Sequence, residues 1–147
     1  MYKFIKEAHS GWAYLTLLAL VIAVVYFLLK LVSKKGLGPG DKKFALAALI
    51  TTHIQFLLGL ILLFVSPQVK QAFSDFSATT SDENGLRLLA LEHPVAMLIA
   101  VVFITIAYSK IKKAIASGNG ITTSSFILLL LGFLAVLSRV PWSTWLG

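Results

Sequence analysis

The sequence predicts an all-α integral membrane protein, an antiparallel bundle of four transmembrane helices forming a single domain over residues 1–147. Three observations lead there. The chain is 58% hydrophobic and only 13% charged, against about 25% charged in an ordinary soluble domain. Its mean hydropathy is +0.88. Its apolar runs approach the roughly 20 residues that a helix needs to cross hydrocarbon, and short lysine- and glycine-containing breaks separate them. Four spans leave no room for a separate soluble domain.

The composition also excludes several chemistries. The chain has no cysteine, so disulfides, thiolate metal sites, iron–sulfur clusters and covalent c-type haem attachment are ruled out. The net charge of +7 is not a nucleic-acid signal, because the lysines flank apolar segments, where they set topology and meet anionic headgroups. The first apolar run, Gly11 to Leu29, is too long for a signal-peptide core. Lys30, Lys34 and Lys35 follow it rather than a cleavage site, so it reads as a retained span.

Residues 1–10 are amphipathic: Phe4 and Ile5 can dip into an interface while Lys3, Lys6 and Glu7 stay wet. His9 closes this stretch, with Trp12 expected as an interfacial anchor. The first span covers about 9–33. Lys34 to Lys43, with three glycines and Pro39, is a turn. The second span covers about 44–65, with Thr51-Thr52-His53-Ile54-Gln55 near its middle and Gly59 offering close approach. Ser66-Pro67 ends it. Residues 67–87 suggest a short interfacial helix or ordered cap around Phe73 and Phe76, and Ser81-Asp82-Glu83-Asn84-Gly85 is a helix start signal. The third span covers about 86–109, and Ser117-Gly118-Asn119-Gly120 is the next turn. The fourth covers about 123–140, and Trp142 and Trp145 form an aromatic belt.

Lysine asymmetry predicts orientation. Lys30 and the two short loops hold eight of the thirteen basic residues, while five of the six acids fall on the other side. The positive-inside rule then places both termini outside and gathers His9, Glu92, His93, Arg139, Trp12 and Trp142 near the outer face.

Ionisable side chains at membrane depth are costly and mark functional sites by default. Glu92-His93-Pro94 stands at the head of the third span, and His9 and His53 complete the three histidines of the chain. Counting helical rise from Lys30, Lys112 and Lys43 puts His9 roughly 31 Å, His93 roughly 28 Å and His53 roughly 15 Å from the lysine side. Two axial ligands of one haem need similar height. His9 and His93 are therefore the expected iron ligands, with His53 the alternative. Arg139 is expected to balance a propionate, and Glu92 to share that layer. Each residue also has a plainer reading. Pro94 can serve only as a first helical residue, His9 as an interfacial side chain, and His53 as polar glue through Thr52 or Gln55. Met97 can be simple packing, and Arg139 a snorkelling charge or ion-pair partner of Glu92.

The set His9-Ser10-Gly11-Trp12, Thr52-His53-Ile54-Gln55 with Gly59 and Ser66-Pro67, Glu92-His93-Pro94 and Pro141-Trp142 resembles small four-span bacterial membrane proteins labelled cytochrome b or cytochrome b561-like. The resemblance runs from His9 to Trp142. It implies a non-covalent haem b, electron transfer, and His9, His53 and His93 as candidate ligands. Members with two haems use two histidine pairs, and three histidines allow one bis-histidine haem at most.

The expected function is a membrane electron-transfer subunit in the bacterial cytoplasmic (inner) membrane, a redox carrier rather than a stand-alone catalyst. Its expected partners are the lipid bilayer and a quinol or another membrane redox subunit, with no nucleic acid. No serine–histidine–acid grouping or HExxH motif is present. The alternatives are a cofactor-free accessory or scaffold subunit of a larger respiratory complex, and a transition-metal or proton site built from Glu92 and the histidines.

Overall fold

A computed structural model describes residues 1–79 and 85–146, and every regular element among them is helical. Helix α1 is Tyr2–Ser33, α2 is Lys42–Val65 and α3 is Pro67–Ser74. A π-helical turn, Leu88–Glu92, leads into α4, His93–Ala116, followed by α5, Thr123–Arg139, and the short α6, Trp142–Leu146. Three stretches are long and apolar enough to cross a membrane: Tyr2–Ser33, Pro39–Val65 and Leu88–Ala116. Helix α5 is apolar but has 17 residues, about 26 Å, slightly less than a hydrocarbon core of roughly 30 Å.

Two boundaries differ clearly from expectation, the start of the first span and the end of the third, and both in one direction: the helices run on. Helix α1 starts seven residues before His9 because Tyr2 to Ala8 contains no breaker. Lys3 and Glu7 pair at 3.9 Å one turn apart along it. His9 therefore lies two turns inside a helix rather than at a helix entrance. Helix α4 continues through Lys110, Lys112 and Lys113 to Ala116, since lysine is a good helix former and stops nothing. Pro94 is likewise not a helix start. Helical backbone begins at Leu86, and His93 N–H reaches back to the Leu88 carbonyl. The wide turn lets the chain pass Pro94, which has no N–H to give and crowds the preceding turn. The expected start signal at 81–85 lies, except for Gly85, outside the described residues.

Helix α1 packs on α2 and α5, and α4 packs on the same two. The shared core is built at helical spacing, from Thr16, Leu20, Ala23 and Phe27 on α1 and Ala100, Ile104, Ala107 and Ile111 on α4. Outward positions such as Leu18, Val25, Leu57, Val102 and Leu134 are equally apolar and exposed. Helices apolar all round suit a lipid surrounding. Packing between them then depends on close approach of small residues rather than on a hydrophobic driving force. Gly132 on α5 shows this: a Cβ there would meet Ile104 Cγ1 at 2.7 Å.

At the lysine-rich end the polar groups close on each other. Asp41 is buried and accepts from the Tyr26 hydroxyl, from Gly38 N–H at 2.7 Å and from Lys30 Nζ at 3.3 Å. Tyr26 also stacks on Phe44, with centroids 3.9 Å apart. The two loops at this end meet through Leu37 N–H and the Asn119 carbonyl at 3.0 Å. Gly118, at φ +67°, takes the left-handed conformation that ends α4. Its N–H and that of Asn119 bond the Ile115 and Ala114 carbonyls, a Schellman closure.

At the opposite end, Ser66 stops α2 and caps α3 by accepting Val69 N–H, with Pro67 as the first helical residue. The expected short helix after Ser66 is therefore present. It buries Val69 and Ala72 against Leu86 and Ala90, while Phe73 and Phe76 stay exposed. The Tyr2 hydroxyl donates to Gln68 Oε1 at 2.9 Å and ties the start of α1 to α3.

Candidate cofactor site

His9 projects from the second turn of α1 and His93 from the first residue of α4. Their ring centroids are 6.2 Å apart and their planes are nearly perpendicular, at 89°. Both rings are half-buried. His93 Nδ1–H donates to the Arg139 carbonyl at 2.8 Å. This bond anchors the ring and leaves the lone pair on Nε2, the arrangement that commonly orients a ligating histidine. Arg139 thus contributes its backbone as well as its charge.

Helix α2 holds His9 from the side. Gln55 Nε2 donates to the His9 carbonyl at 3.0 Å and lies 3.4 Å from His9 Nε2. Gly59, one turn on, lies under the ring: a Cβ there would sit 3.2 Å from His9 Cε1. Trp12 and Thr16 fix the height of α1 on α2, because both donate to the Thr51 carbonyl, at 2.9 and 3.1 Å. Trp12 is therefore an interhelical clamp. Trp142 and Trp145 lie together at 5.7 Å, and Trp145 packs on Tyr14 of α1 at 4.6 Å.

Glu92 and Arg139 come together as the sequence suggested, with Arg139 Nε 3.3 Å from Glu92 Oε2. Arg87 completes the cluster at 2.8 Å from Glu92 Oε1, a partner that sequence reasoning missed. The wide turn brings a residue five positions before Glu92 onto the carboxylate's side. These side chains are between 32% and 49% exposed, so the pairs position groups more than they stabilise the fold.

His53 does not join them. Its Nδ1–H donates to the Leu49 carbonyl of its own helix at 2.7 Å. Its Nε2 faces Thr105 of α4 at 3.4 Å, roughly three turns along α4 from His93. It is polar glue through Thr105, not through Thr52 or Gln55. Met97 packs at the edge of the core.

Three buried polar atoms have no hydrogen-bond partner among the described residues: His9 Nδ1, Thr52 Oγ1 and Gln55 Oε1. Two of the three belong to the His9–Gln55 contact. Unpaired polar groups inside a protein cost free energy, so this seam invites a further group. No three His, Asp or Glu side chains among the described residues converge as a metal cage would require. A haem iron needs only two protein nitrogens, and the pair fits that demand.

The chain matches no family model, no curated protein and no solved structure.

Proposed function

We propose that this protein is a small membrane electron-transfer subunit that holds one non-covalent haem b between His9 and His93. The observation that carries the proposal is their facing pair of imidazoles at 6.2 Å. They come from two helices, and one of them is already locked in a ligating tautomer by the Arg139 carbonyl. In this reading α1, α2, α4 and α5 form an antiparallel four-span bundle in a bacterial cytoplasmic membrane. Both termini and the histidine layer face outside, and the lysine loops face the cytoplasm. The cytochrome b-like pattern from His9 to Trp142 agrees with it.

Haem bound here supplies reversible one-electron chemistry. The chain's own groups divide the remaining work. His9 and His93 would hold it through their ring nitrogens. Gly59 keeps the side of His9 open. Arg139 brings a cation beside the acid layer, where it can offset a propionate. Between the ends of the π turn, α4 and α5 lies a cleft of about 510 Å³, with Val95, Ile99 and Ala135 as walls and Glu92, Ser138 and Arg139 as polar groups. It adjoins the carbonyl that holds His93, so a quinol or a redox partner docking there delivers electrons next to a ligand. Glu92 supplies a carboxylate in that lining to take a proton.

The test is a reduced-minus-oxidised optical spectrum of the protein purified from its membrane. A low-spin haem b signal near one haem per chain is expected. A colourless, metal-free protein would remove the electron-transfer reading and leave the accessory-subunit reading in its place.

A further inference from the structure

Helices α1 and α2 leave an apolar groove of about 310 Å³ along their shared outer side. Leu15, Leu18, Ala19 and Ile22 line it from α1. They stand three or four positions apart, so they form one stripe of that helix. Phe44 and Ala47 line it from α2. The alanines leave the space between their larger neighbours unfilled. Leu15, Leu18 and Ile22 are exposed, so the groove opens outward, away from the core that α1 shares with α4.

Lys43 is the one polar side chain in this lining. Its ammonium stands over the Phe44 ring, 5.3 Å from the centroid. Phe44 is itself stacked on Tyr26, whose hydroxyl donates to Asp41. The cation is thus held at the end of the groove. Asp41, two residues before it, is already engaged by Lys30 at 3.3 Å and by Gly38 N–H at 2.7 Å. The ion pairs among the described residues join Lys3, Lys30, Arg87 and Arg139 to carboxylates, and Lys43 joins none of them. A cation without a counter-ion at the end of a hydrocarbon-lined groove is complementary to a hydrocarbon chain that ends in a phosphate.

The length agrees. Tyr26 marks the level of Phe44 on α1. Leu15 stands roughly 16 Å from it at 1.5 Å per residue, and one leaflet of a hydrocarbon core is about 15 Å deep. We propose that this groove seats one anionic phospholipid of the leaflet at the lysine-rich end. An acyl chain lies along the stripe from Phe44 to Leu15, and the phosphate sits on Lys43. The site goes beyond the electron-transfer reading and uses none of the histidines. The cleft at the opposite end does not offer the same match, because it sets the Glu92 carboxylate beside Arg139 at 3.3 Å.

The experiment is photo-crosslinking of the full chain in phosphatidylcholine nanodiscs. These carry a small fraction of phosphatidylglycerol with a diazirine in mid-acyl chain, and peptide mapping locates the adducts. Adducts should concentrate on residues 15–22 and 44–47. They should exceed those of a phosphatidylcholine probe with the same diazirine by about fivefold, the factor that one lysine beside an anionic headgroup gives. Lys43→Gln should abolish this preference. Lys112→Gln, which removes the same charge at the same end but outside the groove, should leave it intact. Ala47→Leu fills the groove and should cut adducts there severalfold with both probes. Wild-type adducts spread evenly over the exposed apolar residues would overturn the proposal, whatever the variants do. So would equal labelling of the groove by both probes, or a groove without adducts because a second copy of the chain covers it. A preference lost as fully in Lys112→Gln as in Lys43→Gln would also contradict it, by assigning the effect to the charge of the whole end.

Discussion

The two ends of the helix assembly treat their polar groups in opposite ways. At the lysine end, Asp41 gathers a hydroxyl, a backbone N–H and an ammonium, and the loops close on each other by backbone bonds. At the histidine end, the seam between α1 and α2 leaves His9 Nδ1, Gln55 Oε1 and Thr52 Oγ1 buried and without a partner among the described residues. The helix that brings His93 to this layer enters through a π turn. A closed network holds a fold together. An open one, with buried polar atoms left unpaired among the described residues, has room for a group the chain does not itself contain.

The comparison predicts that perturbing one end damages stability and perturbing the other damages ligand binding. The largest stability effect is expected at Asp41. Asp41→Ala leaves Lys30, Tyr26 and the Gly38 N–H without their shared acceptor, and costs about 3 kcal/mol. A thermal melt in detergent reads this as a large drop in midpoint, and any haem that remains keeps its spectrum. Gly132→Val comes next. It drives a side chain into Ile104 at the α4–α5 contact and costs about 1–3 kcal/mol by overpacking. Comparison with Gly36→Ala, whose added Cβ meets its nearest neighbour at an ordinary 3.5 Å, checks that the effect is steric.

Gly59→Ala inverts the pattern. Its Cβ presses on His9 Cε1 from 3.2 Å, a strain the imidazole can relieve by turning. The melt should move little, by less than about 1 kcal/mol. The low-spin haem signal should weaken or shift. A stability loss as large as that of Gly132→Val, with an unchanged spectrum, would erase the distinction between the two ends.

The parts of this arrangement legible in the sequence are those that depend on height. Rise per residue is nearly constant, so counting from the lysines put His9 and His93 in one layer and His53 deeper. The structure pairs His9 with His93 and sets His53 against Thr105. The Glu92–Arg139 contact followed from the lysine asymmetry, which gathers both residues near one face. Azimuth was not legible, because helices that are apolar on every side carry no stripe to show which face turns inward. Gln55 and Trp12 were therefore visible as residues but not as partners of His9 and Thr51. Asp41 looked like a turn residue, since nothing local announces that Tyr26 and Lys30 of the preceding helix fold back onto it. The π turn and Arg87 were missed because Pro94 after a histidine reads equally as a helix start.

The most direct test of the central claim is the low-spin haem spectrum of three single variants, His9→Ala, His93→Ala and His53→Ala, purified in parallel with wild type. An imidazole removed from a bis-histidine site should leave high-spin iron or no haem. His9→Ala and His93→Ala should therefore each abolish the low-spin signal, while His53→Ala should retain it with a modest shift. Loss of the signal in His53→Ala with its survival in His9→Ala would contradict the account, and would assign the ligand pair to His53 and His93.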